Sequence, residues 1–364
     1  TVPKAKHEAG PRALHSSIWT NKGLIIWGGM TPTTTAFETE SDAIYYPGSN
    51  RWFQLRKAEV SGRYNHSSVW DGTQMIVWGG LDVSSTPLES GFRINPDDDG
   101  WRDVSEEQAP SARSGHSAVW TGKRMLVWGG DGQTDAYFAD GGIYDPAKDV
   151  WTAMGEQDAP DGRSYHSAVW TGKVMLIWGG VDGSGAINSG GAFDPVKNTW
   201  THMSDANAPA GRVSHSAIWT GKKLIIWGGR GNDDSYLADG AIYDPSSDEW
   251  SAMTPPPESF APRELHSAVW TGSEMVIYGG HNETSTLADG AAYDPQLDTW
   301  RIIKVKPKLP ARYMHSAVWA DGEMIVFGGR GEDHKFLTSK VGVRISLGKG
   351  DTKTRSKKSN KGSN

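Results

Sequence analysis

The sequence predicts an all-β fold: a seven-bladed β-propeller of four-stranded blades, with the ring closed by the N-terminal strand. Three observations carry this expectation. Arg-x-x-His-Ser, then Trp, then Gly-Gly recurs seven times at intervals of 49 to 51 residues. The stretches between these markers are short, β-branched or aromatic, and show no helical period. All 18 tryptophans fall at only three places in the repeat. A unit of that length holding several short strands cannot bury both faces alone, so its copies stack radially.

Each unit opens on an arginine (Arg12, Arg63, Arg113, Arg163, Arg212, Arg263, Arg312) and, three residues on, a histidine (His15, His66, His116, His166, His215, His266, His315). Stretches such as His166 to Trp170 and Met175 to Trp178 form a hairpin, punctuated by Thr-Gly-Lys and Gly-Gly. A third strand, as in Gly142 to Asp145, stops at Pro146, which cannot continue a ladder, and a fourth opens at Trp151. In the seventh unit Lys340 to Leu347 supplies a third strand, but no Asp-Pro and no Trp follow. Its outer strand is expected from Thr1 to about Lys6, because Thr1 to Arg12 aligns with Thr152 to Arg163. The propeller then occupies residues 1–347, and residues 348–364 form a basic, flexible tail.

Seven tryptophans end the innermost strand, from Trp19 to Trp319. Five precede Gly-Gly, where Tyr278 and Phe327 stand in the last two units, and six open the outer strand: Trp52, Trp101, Trp151, Trp200, Trp250 and Trp300. Rings repeated so evenly are expected to fill the space between sheets rather than form a platform for a ligand. Each Gly-Gly reads as a strand end needing positive φ or close backbone approach, not as a phosphate loop, because no helix follows.

Gly-Gly after an apolar strand, then Tyr-Asp-Pro, then Trp, resembles the kelch repeat, over residues 1 to about 347. Kelch propellers include enzymes, adaptors and sugar binders, so the resemblance speaks to fold more than to function. Copper-radical oxidases of this fold use a tyrosine cross-linked to cysteine, and this chain has no cysteine. The Glu-x-x-x-Asp-x-x-x-His spacing of iron-dependent kelch specifier proteins is also missing. Sugar mutarotases of kelch type stay open, since acid–base work at an anomeric carbon needs only positioned Glu, Arg and His.

The net charge of −6 is unevenly held. From Gly348 on, six basic residues face Asp351 alone, leaving the body near −11. An acidic body argues against a nucleic-acid partner. No stretch reaches the roughly 18 apolar residues of a membrane span. The first residue is Thr1 rather than Met, and export to an extracellular or periplasmic location is expected.

Seven histidines invite a metal hypothesis, but one per blade puts neighbours on separate sheets, whereas a metal needs converging ligands. They read as structural, and no metal or cofactor is expected. The arginines read as links between loops or blades. Asp131, Asp135 and Asp140, or Asp233, Asp234 and Asp239, could offer oxygens to calcium, but ordered loop spacing is absent. Asp140, Asp239 and Asp289, recurring in Ala-Asp-Gly, read as turn residues bonding their own backbone, and Asp97-Asp98-Asp99-Gly100 as a hairpin turn.

A residue needed for packing should recur in every blade, whereas one needed for an asymmetric ligand should not. Two sets vary: Leu14, Asn65, Gly115, Tyr165, Ser214, Leu265 and Met314 before each histidine, and Met30, Leu81, Asp131, Val181, Arg230, His281 and Arg330 after each Gly-Gly. In kelch propellers the corresponding loops crowd one mouth of the channel, and the resemblance implies a binding surface there. Arg230, His281 and Arg330 are the expected ligand contacts, with Tyr165 and Glu264 as secondary ones. The expected function is non-catalytic binding of a protein or an acidic glycan or peptide, as part of a larger assembly. The alternatives are a carbohydrate-active enzyme using Glu264 beside His281, or a fragment of an intracellular adaptor.

Overall fold

A computed structural model describes residues 8–32, 42–55, 62–98, 100–134, 136–305, 309–337 and 343–346. Every regular element among them is a β-strand, and there is no helix. Six antiparallel sheets have four strands each, in simple up-and-down order. The blade of residues 117–153 is representative: Ser117–Trp120, Met125–Trp128, Gly141–Asp145 and Val150–Ala153 pair in sequence. A further sheet has three strands, Ser316–Ala320, Glu323–Phe327 and Val343–Ser346. The expectation of seven four-stranded blades is therefore corrected to six, because Thr1 to Lys6, which would supply the last outer strand, lie outside the described residues. The tail 348–364 lies outside them too.

The innermost strands follow one another in a closed circle, and Ser316–Ala320 packs beside Ser16–Trp19. Second strands such as Met75–Trp78 and Leu224–Trp227 are buried at every residue. They lie between neighbouring sheets, which is why they read as unbroken apolar runs rather than as alternations.

One joint is repeated between successive blades. The ring preceding Gly-Gly meets the next blade's histidine edge to face, from Trp27–His66 at 5.0 Å to Tyr278–His315 at 5.6 Å and, across the closure, Phe327–His15 at 5.5 Å. Outer tryptophans complete the layer, as in Trp128–Trp200 and Trp178–Trp250. The packing reading thus holds, although the tryptophans ending the innermost strands are only partly buried. The glycine pair makes the joint possible. A Cβ on Gly28 (φ 66°) would come within 2.8 Å of the His66 ring, and one on Gly29 (φ 90°) within 2.6 Å of His15 Cβ. Side chains are excluded there by both space and conformation.

Candidate functional site

The histidines are committed to the joints. In six of the seven, Nε2 lies against a serine hydroxyl on the preceding blade: His66 with Ser16 at 2.6 Å, His116 with Ser67 at 2.8 Å, His166 with Ser117 at 2.7 Å, His215 with Ser167 at 2.9 Å and His315 with Ser267 at 2.7 Å. His15 with Ser316, at 2.7 Å, closes the circle. His266 alone has no hydrogen-bond partner among the described residues. Burial, followed by the neighbouring arginine, holds His15, His116, His215 and His266 down to about 3, and His66, His166 and His315 well below their ordinary value.

The arginines work in two directions. In each blade Nη1 donates to the carbonyl of the first Gly-Gly residue, as from Arg263 to Gly279 at 3.1 Å. The arginine's own carbonyl accepts from the second glycine of the preceding blade, ending with Gly329 to Arg12 at 2.8 Å. The side chain thus ties its own blade, and the backbone ties it to the preceding one.

Asp140, Asp239 and Asp289 are not simple turn residues. Their carboxylates clasp the buried Arg113, Arg212 and Arg263 at 2.8 to 3.0 Å. The equivalent positions are Asp42, which meets Arg12 at 2.6 Å, and Ser90 and Ser189, which accept from Arg63 and Arg163. A buried guanidinium without partners would be too costly, and in all six blades where this position is described it supplies an acceptor. Asp97 and Asp98 lie in a hairpin turn as expected, while Asp99 and Asp135 lie outside the described residues. Among the calcium candidates, Asp131 accepts from Ser114, Asp233 from Ser235 and Asp234 pairs with Arg230. No group of three metal-ligating side chains converges among the described residues.

At the Gly-Gly end of the blades the two variable sets meet. Residues following Gly-Gly bridge to those following the arginine, as in Val213 to Arg230, Glu264 to His281 and Tyr313 to Arg330. The residue before each histidine has positive φ in all seven blades: 55° at Leu14, 52° at Asn65, 61° at Gly115, 53° at Tyr165, 55° at Ser214, 52° at Leu265 and 53° at Met314. Only asparagine and glycine are at ease there. The fold over-determines the rest, partly through blade-to-blade bonds: Tyr165 N–H donates to Gly115 O at 2.8 Å, and Met314 N–H to Leu265 O at 3.1 Å.

The expected site residues divide into two groups. Glu264, buried at 5% exposure, lies 3.2 Å from His281 Nε2 and 4.0 Å from Arg230 Nη1. His281 is flanked by the rings of Tyr236 and Tyr313 at 5.7 and 4.7 Å. Arg230 is already paired with Asp234 at 2.8 Å. Arg330, on the next blade but one, stacks over Phe336 at 4.6 Å and approaches Met30 Sδ at 4.0 Å. It has no carboxylate in ion-pair reach among the described residues. Tyr165 stands apart, on the arc of blades two to four near Asp131. Sequence reasoning missed Tyr236, Tyr313 and Phe336. Their signal was an aromatic residue placed beside a variable basic one.

The KLHDC2/KLHL20/DRC7 Kelch-repeats domain matches residues 84–280 and again 204–341. No curated protein matches the chain. The two matched segments together span well over half of the sequence. They take in the joints, the arginine clasps and the loops after Gly-Gly of successive blades, and the chain belongs to the kelch-repeat family.

Proposed function

We propose that the chain is a non-catalytic binding module that docks an acidic segment of a protein partner on the Gly-Gly mouth, with Arg330 as its anchor. Kelch propellers commonly serve as protein-binding scaffolds, which favours a protein partner. The observation that carries the reading is the contrast between two arginines at equivalent positions: Arg230 is neutralised by Asp234, whereas among the described residues the Arg330 guanidinium meets a ring and a thioether and no carboxylate. A guanidinium resting over an aromatic ring can still donate to a carboxylate. On an array of acidic peptides and acidic glycans, the protein is expected to retain peptides. Arg330→Ala should weaken them about tenfold or more, the effect of one charge-assisted contact. Arg230→Ala should cost less, and the double substitution little beyond Arg330→Ala. Unchanged affinity in Arg330→Ala with an intact fold would place the ligand elsewhere.

A second reading rests on Glu264, whose buried carboxylate beside His281 and Arg230 is an acid–base constellation suited to opening a sugar ring. Accelerated anomer exchange of a free sugar, lost in Glu264→Gln, would favour that enzyme over the binding module.

We also propose that Thr1 to Lys6 complete the three-stranded sheet as the outer strand of a seventh blade. The other six sheets each have a fourth strand, and an uncovered edge invites association. Deleting residues 1–6 is expected to lower the Tm and to promote oligomers in gel filtration. An unchanged melt and monomeric elution would reject the closure.

A further inference from the structure

Among the seven left-handed positions around the mouth, only one carries no side chain. At Gly115 a Cβ would lie 3.1 Å from Asp131 Oδ1, 3.1 Å from Ser164 Cβ and 3.5 Å from Tyr165 Cε2. The missing side chain lets a carboxylate and an aromatic ring close on the same point. Tyr165 is held there by its N–H bond to Gly115 O, yet is 45% exposed. Asp131 is held by Ser114 Oγ at 2.9 Å. Burial, and then Asp131, Tyr64 and Tyr137, raise the Tyr165 phenol above its ordinary value, which sets two further tyrosines in the same neighbourhood. A fixed carboxylate beside an exposed ring face is the chemistry that accepts a desolvated cation. This arc lies away from Arg330 in the circle of blades, so Asp131 and Arg330 set charges of opposite sign on different arcs.

We propose that the Gly115 cradle, walled by Asp131 and Tyr165, is a second subsite that seats a lysine or arginine side chain of the same protein segment whose acidic residue meets Arg330. The inference rests on the binding reading above and narrows its ligand to a segment with charges of both signs at a set separation.

The test selects a random dodecapeptide phage library on the immobilised full-length protein and remakes the best binder as a free peptide. Enrichment of a cationic and an acidic residue at fixed spacing is expected. Asp131→Asn should weaken the peptide about tenfold, and replacing its cationic residue with citrulline or acetyl-lysine should do the same. The two changes together should cost little more than either one. Gly115→Leu should block the cradle without unfolding the protein, since Leu14 and Leu265 adopt the same φ, and a thermal melt checks the fold. Peptides that depend on Arg330 but ignore Asp131 and Gly115 would overturn the cationic subsite while leaving the binding reading intact. Losses that simply add would also overturn it. No selectable peptide would overturn both.

Discussion

Replacing Trp227 with Ala is expected to destabilise the propeller by about 4 kcal/mol, the cost of emptying a fully buried indole site that cannot collapse. Trp227 has no exposed surface and fills the gap between two blades. It meets His266 at 5.2 Å, Trp300 at 5.5 Å and Phe260 at 5.5 Å. All three partners lie on elements following the Trp227 strand, so the cavity would open at the joint rather than within one sheet. Trp270 ends the innermost strand of the next blade and is only partly buried, so Trp270→Ala should cost clearly less. Urea titrations of the two variants would measure the difference. Equal losses would mean that the two tryptophan classes share one environment, contrary to the interlocked joint.

What was legible in the sequence follows from what each joint requires. Histidine, glycine pair and the aromatic ring before it recur in the joint of every blade, so the period exposes them. The partner of the buried arginine does not announce itself in this way. It lies 30, 27, 27, 26, 27 and 26 residues beyond Arg12, Arg63, Arg113, Arg163, Arg212 and Arg263. Because it alternates between Asp and Ser, residue identity hides a position that function keeps constant. Searching for a hydrogen-bond acceptor rather than for one residue type would have found it.

The left-handed positions were hidden for a different reason. Local propensity flags Gly115 and Asn65 but not Leu14, Leu265 or Met314, where the backbone conformation is imposed by neighbouring blades. The candidate site was half legible. Variability pointed to Arg230, His281 and Arg330, but only the fold shows that Arg230 is spoken for by Asp234, that Glu264 is buried beneath His281, and that Tyr165 belongs to another arc.

Acid should unfold this protein steeply, with most of its stability lost between about pH 6 and pH 4. The seven histidines have Nδ1 atoms cut off from solvent and stand beside buried arginines, so the folded state keeps them neutral far below their ordinary value of 6.5. In the unfolded chain they protonate as the pH falls through that value. The unfolded state then binds more protons than the folded one, and stability falls with falling pH. Each such histidine contributes about 1.4 kcal/mol per pH unit inside the window, so seven together approach roughly 10 kcal/mol per unit. That is comparable to the whole stability of a typical domain. Asp42 acts in the opposite sense. Burial, partly offset by Arg12, raises its carboxyl to about 6, so the folded state takes up this proton before the unfolded one and gains stability as the pH falls through the same range. One group against seven leaves the sign unchanged. Urea midpoints at pH 7, 6 and 5 would show the fall. His266→Leu should reduce the proton uptake on unfolding by about one, because His266 titrates like the others but has no hydrogen bond to lose among the described residues. A stability that stays level from pH 7 to pH 5 would mean that the histidine ring is reached by water and charges freely within the folded propeller.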